Sequence, residues 1–201
     1  LIHVLFSPLV AQSEATAYFY PCDLVDPLLV PGCGASNQME LLYVTPPNQL
    51  QPPMNTGKAI LEIVAHELQH AIYFNRKFLR NGNGASLSVE NPYVTEGLSG
   101  LAQDLSGYQA GNFYVAWAGL EGVNDLSVPN LTGAAIKQYV PQPADGVMRG
   151  GGYLLLRYLF DRAGGDALDA AAAPVDKGGI AWLRAFEDSP EFNTANYTKS
   201  A

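Results

Sequence analysis

Two of the chain's three histidines, His66 and His70, stand four residues apart in the segment VAHELQH, and Glu67 directly follows the first. On an α-helix, residues four apart project from the same side, one turn along the axis. Both imidazoles can therefore reach one metal ion, and imidazole nitrogen is a ligand that Zn²⁺ prefers. Glu67 is rotated by about 100° from His66, which makes it a poor third ligand but a good acceptor for a proton from an attacking water. The spacing predicts a zinc centre with Glu67 as its general base, as in H-E-x-x-H metalloproteases.

A zinc centre needs a third protein ligand, and three residues compete for that role. His3 opens the first strand-like segment and is the weakest candidate. Cys33 would supply a thiolate, as in a deformylase-like amidase. Glu96 begins the next helical segment, TEGLSGLAQDL, where the backbone fixes its carboxylate, and it is our predicted third ligand. A site with three protein ligands keeps one position open, which favours catalysis over a structural role.

Two segments together carry a resemblance to a known family. HELQHAIYFN followed by TEGLSGLAQDL resembles the glutamate zincins, or gluzincins, and is most similar to the hyicolysin-type peptidases. That family pairs HE-x-QH-x-I-x-FN with NEGLS-x-x-AEDL. YFYPCDL and RGGGYLLLRYLFDRAG resemble further parts of the family pattern, so the similarity extends over about residues 2–164. The resemblance implies a secreted or cell-surface zinc endopeptidase that cleaves peptide or protein substrates in a cleft between two lobes.

The chain departs from this family pattern at two positions. Thr95 stands where the family often has Asn, and Arg149 aligns with the family's tyrosine before GxxY. If that tyrosine holds the oxyanion, Arg149 or Tyr153 would replace it, because either side chain can donate to a developing negative charge. Packing of Tyr153 within a helix and a surface role for Arg149 are the alternatives.

Asp104 is the predicted support for one of the metal-binding histidines. It follows Glu96 by two turns of the same helix. Histidines that bind metals usually donate their second ring N–H to a carboxylate, a carbonyl or a water. A solvated helix carboxylate is the alternative at this position.

Composition and charge limit the partners. The 201 residues are 48% apolar and 15% charged, which predicts one folded domain. With the resemblance, we expect a single catalytic domain with an N-lobe of about 1–88 and a C-lobe of about 89–201. The net charge of −8 argues against nucleic acid and anionic membranes, since both require clustered Lys and Arg. No apolar run approaches the roughly 18 residues of a membrane span. We expect a monomer, and the absence of an initiator Met indicates a fragment or a processed form.

Cys22 and Cys33, the two cysteines, lie in a short loop rich in Pro and Gly. A disulfide between them would stabilise the fold by about 3 kcal/mol in the chain-entropy model. It would also indicate an oxidising, extracellular compartment, whereas two unpaired thiols would suit the cytosol.

The order of the predicted elements indicates an α+β fold, because strands come first and helices follow. We predict strands over Ile2–Val10, Ala15–Pro21 and Met39–Thr45, and short helices and loops over 109–147. Together with the resemblance, this gives a zincin-like fold with a small N-terminal sheet packed on the metal-binding helix, a mainly helical C-terminal lobe, and the active-site cleft between them. The segment ATAYFYP is the expected sheet edge for an extended substrate.

Helical periodicity extends from about Thr56 to Arg80, with Thr56 as the cap and Gly82 as the stop. Apolar residues occupy most of this helix's circumference, which predicts a buried, central helix. Three further helices are predicted: one with Thr95 as its N-cap, one over Gly151–Gly164, and one over Ala181–Asp188.

Three functions are compatible with these patterns. Metal-assisted hydrolysis of peptide bonds is the main hypothesis. A non-catalytic, zinc-containing binding module and a deformylase-like zinc amidase are the alternatives, and a Cys22–Cys33 disulfide would exclude the amidase because its thiolate would be lost.

Overall fold

The structure is a computed structural model that describes residues 1–13, 15–80, 92–108, 116–117, 119–120, 144–165 and 178–188. The described part is α+β, as predicted, with a small sheet near the N-terminus and mainly helices after it. The strands are β1 (His3–Phe6), β2 (Ala17–Phe19) and β3 (Leu41–Val44). The main helices are α1 (Pro8–Gln12), α2 (Gly57–Phe74), α3 (Pro92–Leu105), α4 (Ala144–Arg162) and α5 (Gly178–Asp188).

The chain divides into two compact units. The first contains Leu1–Phe74 and Ala102–Asn112, and the second contains Asn75–Leu101 and Phe113–Ala201. The predicted lobe boundary near residue 88 lies outside the described residues, as does most of the 109–147 interval.

The first unit contains the three-stranded sheet in the order β1-β3-β2. β3 is central, and it runs parallel to β1 and antiparallel to β2. In the described part of the chain β2 pairs with β3 alone, so the predicted edge position of ATAYFYP is confirmed. The sheet packs on α2 through β2 and β3, and the rings of Phe19 and Phe74 lie 6.0 Å apart.

The first strand is shorter than predicted. It ends at Phe6, and Ser7 caps a short helix by accepting a hydrogen bond from the backbone N–H of Leu9 at 3.3 Å. Pro8 occupies the first turn of that helix, where its missing N–H costs nothing. The prediction of a strand through Val10 was therefore wrong, because Ser-Pro starts a helix here.

A disulfide joins Cys22 and Cys33, with their Cα atoms 5.1 Å apart, and this confirms the predicted pairing. Between the two cysteines, the fully buried carboxylate of Asp23 accepts hydrogen bonds from the side-chain amide of Asn37 at 3.0 Å and the hydroxyl of Tyr43 at 2.7 Å. Burial, and then the hydrogen bond to Asp23, raise the pKa of the Tyr43 phenol above its ordinary value. The loop is thus fixed to β3 by a polar anchor as well as by a covalent bond.

The cap of α2 is confirmed. The backbone N–H of Ala59 donates to Thr56 Oγ1 at 3.3 Å, and that of Ile60 donates to the Thr56 carbonyl at 3.0 Å. The helical path continues beyond Phe74 as π-helical turns over Asn75–Arg80, and the predicted stop at Gly82 lies outside the described residues.

The buried face of α2 is more polar than its composition predicts. Glu62, Glu67 and Gln69 are buried, whereas Leu61 and Ile72 are 47% and 37% exposed. Burying a carboxylate is costly unless it is hydrogen-bonded or paired. The buried polar residues of this helix therefore indicate a functional site rather than an ordinary apolar core.

Two helices of the second unit begin earlier than predicted. α3 begins at Pro92, a residue favoured in a first helical turn, so Thr95 is not its N-cap and Glu96 lies in the second turn. α4 begins at Ala144 and includes the glycines that we took for its start. These glycines allow close packing of helices, because a Cβ atom on Gly97 of α3 would lie 2.6 Å from the backbone carbon of Gly152.

The last helix, α5, begins at Gly178 rather than Ala181 and packs on α4. Arg76 joins it through ion pairs to Glu187 at 3.4 Å and Asp188 at 3.0 Å. None of the described helices is both long enough and apolar enough to cross a membrane.

Candidate metal centre

α2 presents the two histidines side by side. His66 and His70 are both half-buried, and their ring centroids lie 4.9 Å apart in an edge-to-face arrangement. This is the outcome expected for residues four apart on an uninterrupted helix.

Glu96 completes a group that could hold a metal ion. Each of His66, His70 and Glu96 offers one ligand atom, and these atoms all lie within 4.8 Å of one another. Two imidazole nitrogens and one carboxylate oxygen are a donor set that suits Zn²⁺. The structure thus brings together the three residues that we predicted as ligands, and the group does not include His3.

Cys33 is not available as a rival ligand. Its sulfur is bonded to Cys22, and its side chain is buried. A disulfide sulfur cannot act as the thiolate that a zinc amidase would need, because only the thiolate binds metal. The deformylase-like alternative is therefore excluded for the disulfide-bonded chain.

Glu67 lies next to His66 on α2 but outside the group of potential ligands. Its side chain is only 7% exposed. Its role as a general base stays a prediction.

Arg149 forms an ion pair with one of the three potential ligands. Its Nη1 donates to Oε2 of Glu96, and both side chains are partly buried. A guanidinium that donates to a carboxylate oxygen fixes the orientation of the carboxylate. This contact gives Arg149 a second possible role besides the oxyanion contact, which stays a prediction.

The Arg149→Ala variant separates these two roles. If Arg149 mainly orients Glu96, zinc affinity should fall by about 10–100-fold, the usual effect of losing a partner of a metal ligand. If Arg149 instead holds an oxyanion, zinc affinity should stay unchanged and kcat should fall by about 10²–10³-fold. Zinc titration against a chromophoric chelator, together with steady-state kinetics, measures both quantities. We expect the affinity to fall, and an unchanged affinity would contradict the orienting role.

Tyr153 packs against α3. A Cβ atom added to Gly100 would lie 3.1 Å from the Cβ of Tyr153, so the two helices are in close contact at this point. The phenol side chain is half-buried. The contact supports the packing role of Tyr153, and its oxyanion role stays a prediction.

Gln103, which the sequence did not predict, contacts one of the two histidines of the potential metal-binding group. His66 Nδ1 and Gln103 Oε1 share a hydrogen bond of 2.9 Å, and Gln103 Nε2 donates to Oε1 of Glu62 at 3.3 Å. Helix geometry is the sequence signal that favours Gln103 over Asp104. Gln103 follows Glu96 by seven residues and so lies within about 20° of it around the helix axis. Asp104 follows Glu96 by eight residues and lies about 80° away. The role predicted for Asp104 stays a prediction.

Comparisons with protein-family models, with curated proteins and with solved structures find no match to this chain.

Proposed function

We propose that this chain is a zinc-dependent endopeptidase. The observation that carries the proposal is the convergence of His66, His70 and Glu96 on one potential metal position, with Glu67 beside them on α2. The resemblance of HELQHAIYFN and TEGLSGLAQDL to gluzincins, and in particular to hyicolysin-type peptidases, supports the same assignment. The α+β architecture is compatible with a zincin-like fold.

In this proposal His66, His70 and Glu96 hold the ion and leave one coordination position open. Zinc bound there would polarise the scissile carbonyl and make the attacking water more acidic. Glu67 accepts the proton of that water and then delivers it to the leaving amine. Arg149 or Tyr153 donates a hydrogen bond to the charge that develops on the carbonyl oxygen.

An extended peptide is the substrate that best suits the first unit. β2 is a short edge strand, and edge strands offer backbone N–H and C=O groups to an added strand. Backbone pairing of this kind would recognise unfolded or extended protein segments with little dependence on side chains. The Cys22–Cys33 disulfide supports a secreted or cell-surface location for such an enzyme.

A non-catalytic zinc module is the second candidate. A structural zinc site takes four protein ligands, whereas the group identified among the described residues has three. The buried Glu67 next to His66 also favours the catalytic alternative.

The test is hydrolysis of casein, a substrate without stable tertiary structure. Zinc-loaded protein should cleave it, a sample treated with a zinc chelator should not, and added zinc should restore cleavage. Stoichiometric zinc without any cleavage would instead indicate the binding module.

A further inference from the structure

We propose that Gln103 is a positioning residue that fixes the tautomer and the ring orientation of His66 before any metal binds. The structural basis is a chain of three side chains, namely His66, Gln103 and Glu62, joined by hydrogen bonds of 2.9 and 3.3 Å. The role rests on the zinc centre proposed above, but it concerns a property of His66 that is measurable without metal.

The direction of the two hydrogen bonds follows from Glu62, the acceptor at the end of this series of three side chains. The carboxylate of Glu62 can only accept, so the Gln103 amide must turn its NH₂ group towards it. The amide oxygen then faces His66 and also can only accept. A neutral His66 must therefore carry its proton on Nδ1, so that Nε2 is the ring nitrogen with the lone pair that a metal ion would bind.

The burial of Glu62 makes this arrangement stable. Its side chain is 2% exposed, and it lies one turn before His66 on the same face of α2. A buried carboxylate depends strongly on its hydrogen bonds, because losing one leaves a desolvated charge partly unsatisfied. Glu62 thus holds the orientation of the Gln103 amide, and through it the orientation of the His66 ring.

An amide in this place differs chemically from a carboxylate. Metal-binding histidines often donate to a carboxylate, which makes the imidazole a stronger base. Gln103 is neutral, so it orients His66 without adding negative charge next to the ring. The negative charge lies on Glu62, which is hydrogen-bonded to the far end of the Gln103 amide.

The test uses the metal-free 201-residue chain in long-range ¹H–¹⁵N correlation spectra, at a pH about two units above the usual histidine pKa. Wild-type His66 should show the Nδ1–H tautomer. The Gln103→Leu variant should show a mixture of tautomers, and its zinc affinity in chelator competition should be about 10–100-fold lower. The exposed Gln12→Leu on α1 is the matched control and should change neither quantity.

A double variant, Glu62→Gln with Gln103→Glu, separates orientation from general damage to the fold. It exchanges the two groups, so that a carboxylate accepts from His66 and an amide donates to that carboxylate. The Nδ1–H tautomer and most of the zinc affinity should return. Retention of both properties in Gln103→Leu would overturn the role of Gln103, and so would a loss that the double variant does not recover. Neither readout uses hydrolysis, so failure of the proposed catalysis would be seen separately in the casein assay.

Discussion

Replacing Glu67 with Gln is expected to lower the rate of casein hydrolysis by about 10²–10⁴-fold while zinc stays bound. The amide has nearly the same shape as the carboxylate, but it cannot accept a proton from the attacking water. Glu67 is not among the potential ligands, so the donor set of His66, His70 and Glu96 is unchanged in this variant. Zinc content and kcat should therefore respond very differently to the same substitution.

The matched control for this variant is Glu40→Gln. Glu40 is an exposed carboxylate whose contact with the N-terminal amine at 3.4 Å is also exposed. Exposed ion pairs contribute little to stability, so this control should keep both full activity and full zinc content. Casein hydrolysis by Glu67→Gln at the wild-type rate would contradict the role of Glu67 as general base.

The second large effect is expected for Glu96→Ala, which removes one of the three proposed ligands. Loss of a partner that only orients a ligand typically lowers metal affinity by about 10–100-fold, so loss of the ligand itself should exceed that range. The substitution also removes the carboxylate that pairs with Arg149 and leaves its positive charge beside the site. Both consequences act against a bound cation, and hydrolysis should be lost together with zinc.

Zinc affinity measured by chelator competition checks this expectation. Asp161→Ala is the matched control, because it also removes a carboxylate from an arginine on α4, namely Arg157 at 3.0 Å, but at an exposed position. That control should bind zinc as the wild type does. Wild-type zinc affinity in Glu96→Ala would show that Glu96 is not a ligand.

The residues that form the candidate site were largely predictable, because helix geometry is local. A four-residue step fixes the relation between His66 and His70, whatever surrounds the helix. Glu96 could be selected because it lies in the first helical segment after the H-E-x-x-H helix, where the backbone fixes the position of its carboxylate. The Cys22–Cys33 disulfide was predictable because the chain offers no other pairing.

The contacts around the ligands were not predictable from spacing alone. Gln103 contacts His66, and this depends on the rotation of α3 about its own axis, which packing sets. The same applies to the pairing of Arg149 with Glu96, because the close approach of α3 and α4 depends on glycines that we took for a helix boundary. Taken alone, glycine and proline indicate where a helix ends. Here tertiary packing keeps the glycines inside α4.

The polar character of α2 shows a further limit of pattern analysis. Hydrophobic periodicity predicts which face is buried when the interior is apolar. Here Glu62 and Glu67 are buried while Leu61 is exposed, so the pattern is least informative along the helix that carries the site. Buried polar residues that break the hydrophobic pattern are expected where residues form a functional site rather than an apolar core.

In the function proposed here, zinc held by this chain promotes hydrolysis of peptide bonds with Glu67 as the general base. The most direct measurement is casein hydrolysis by wild-type protein and by Glu67→Gln, with the zinc content determined on the same two samples. We expect one zinc ion per chain in both samples, with cleavage by the wild type and cleavage lowered by about 10²–10⁴-fold in the variant. Equal cleavage by both, or no cleavage by a fully zinc-loaded wild type, would contradict it.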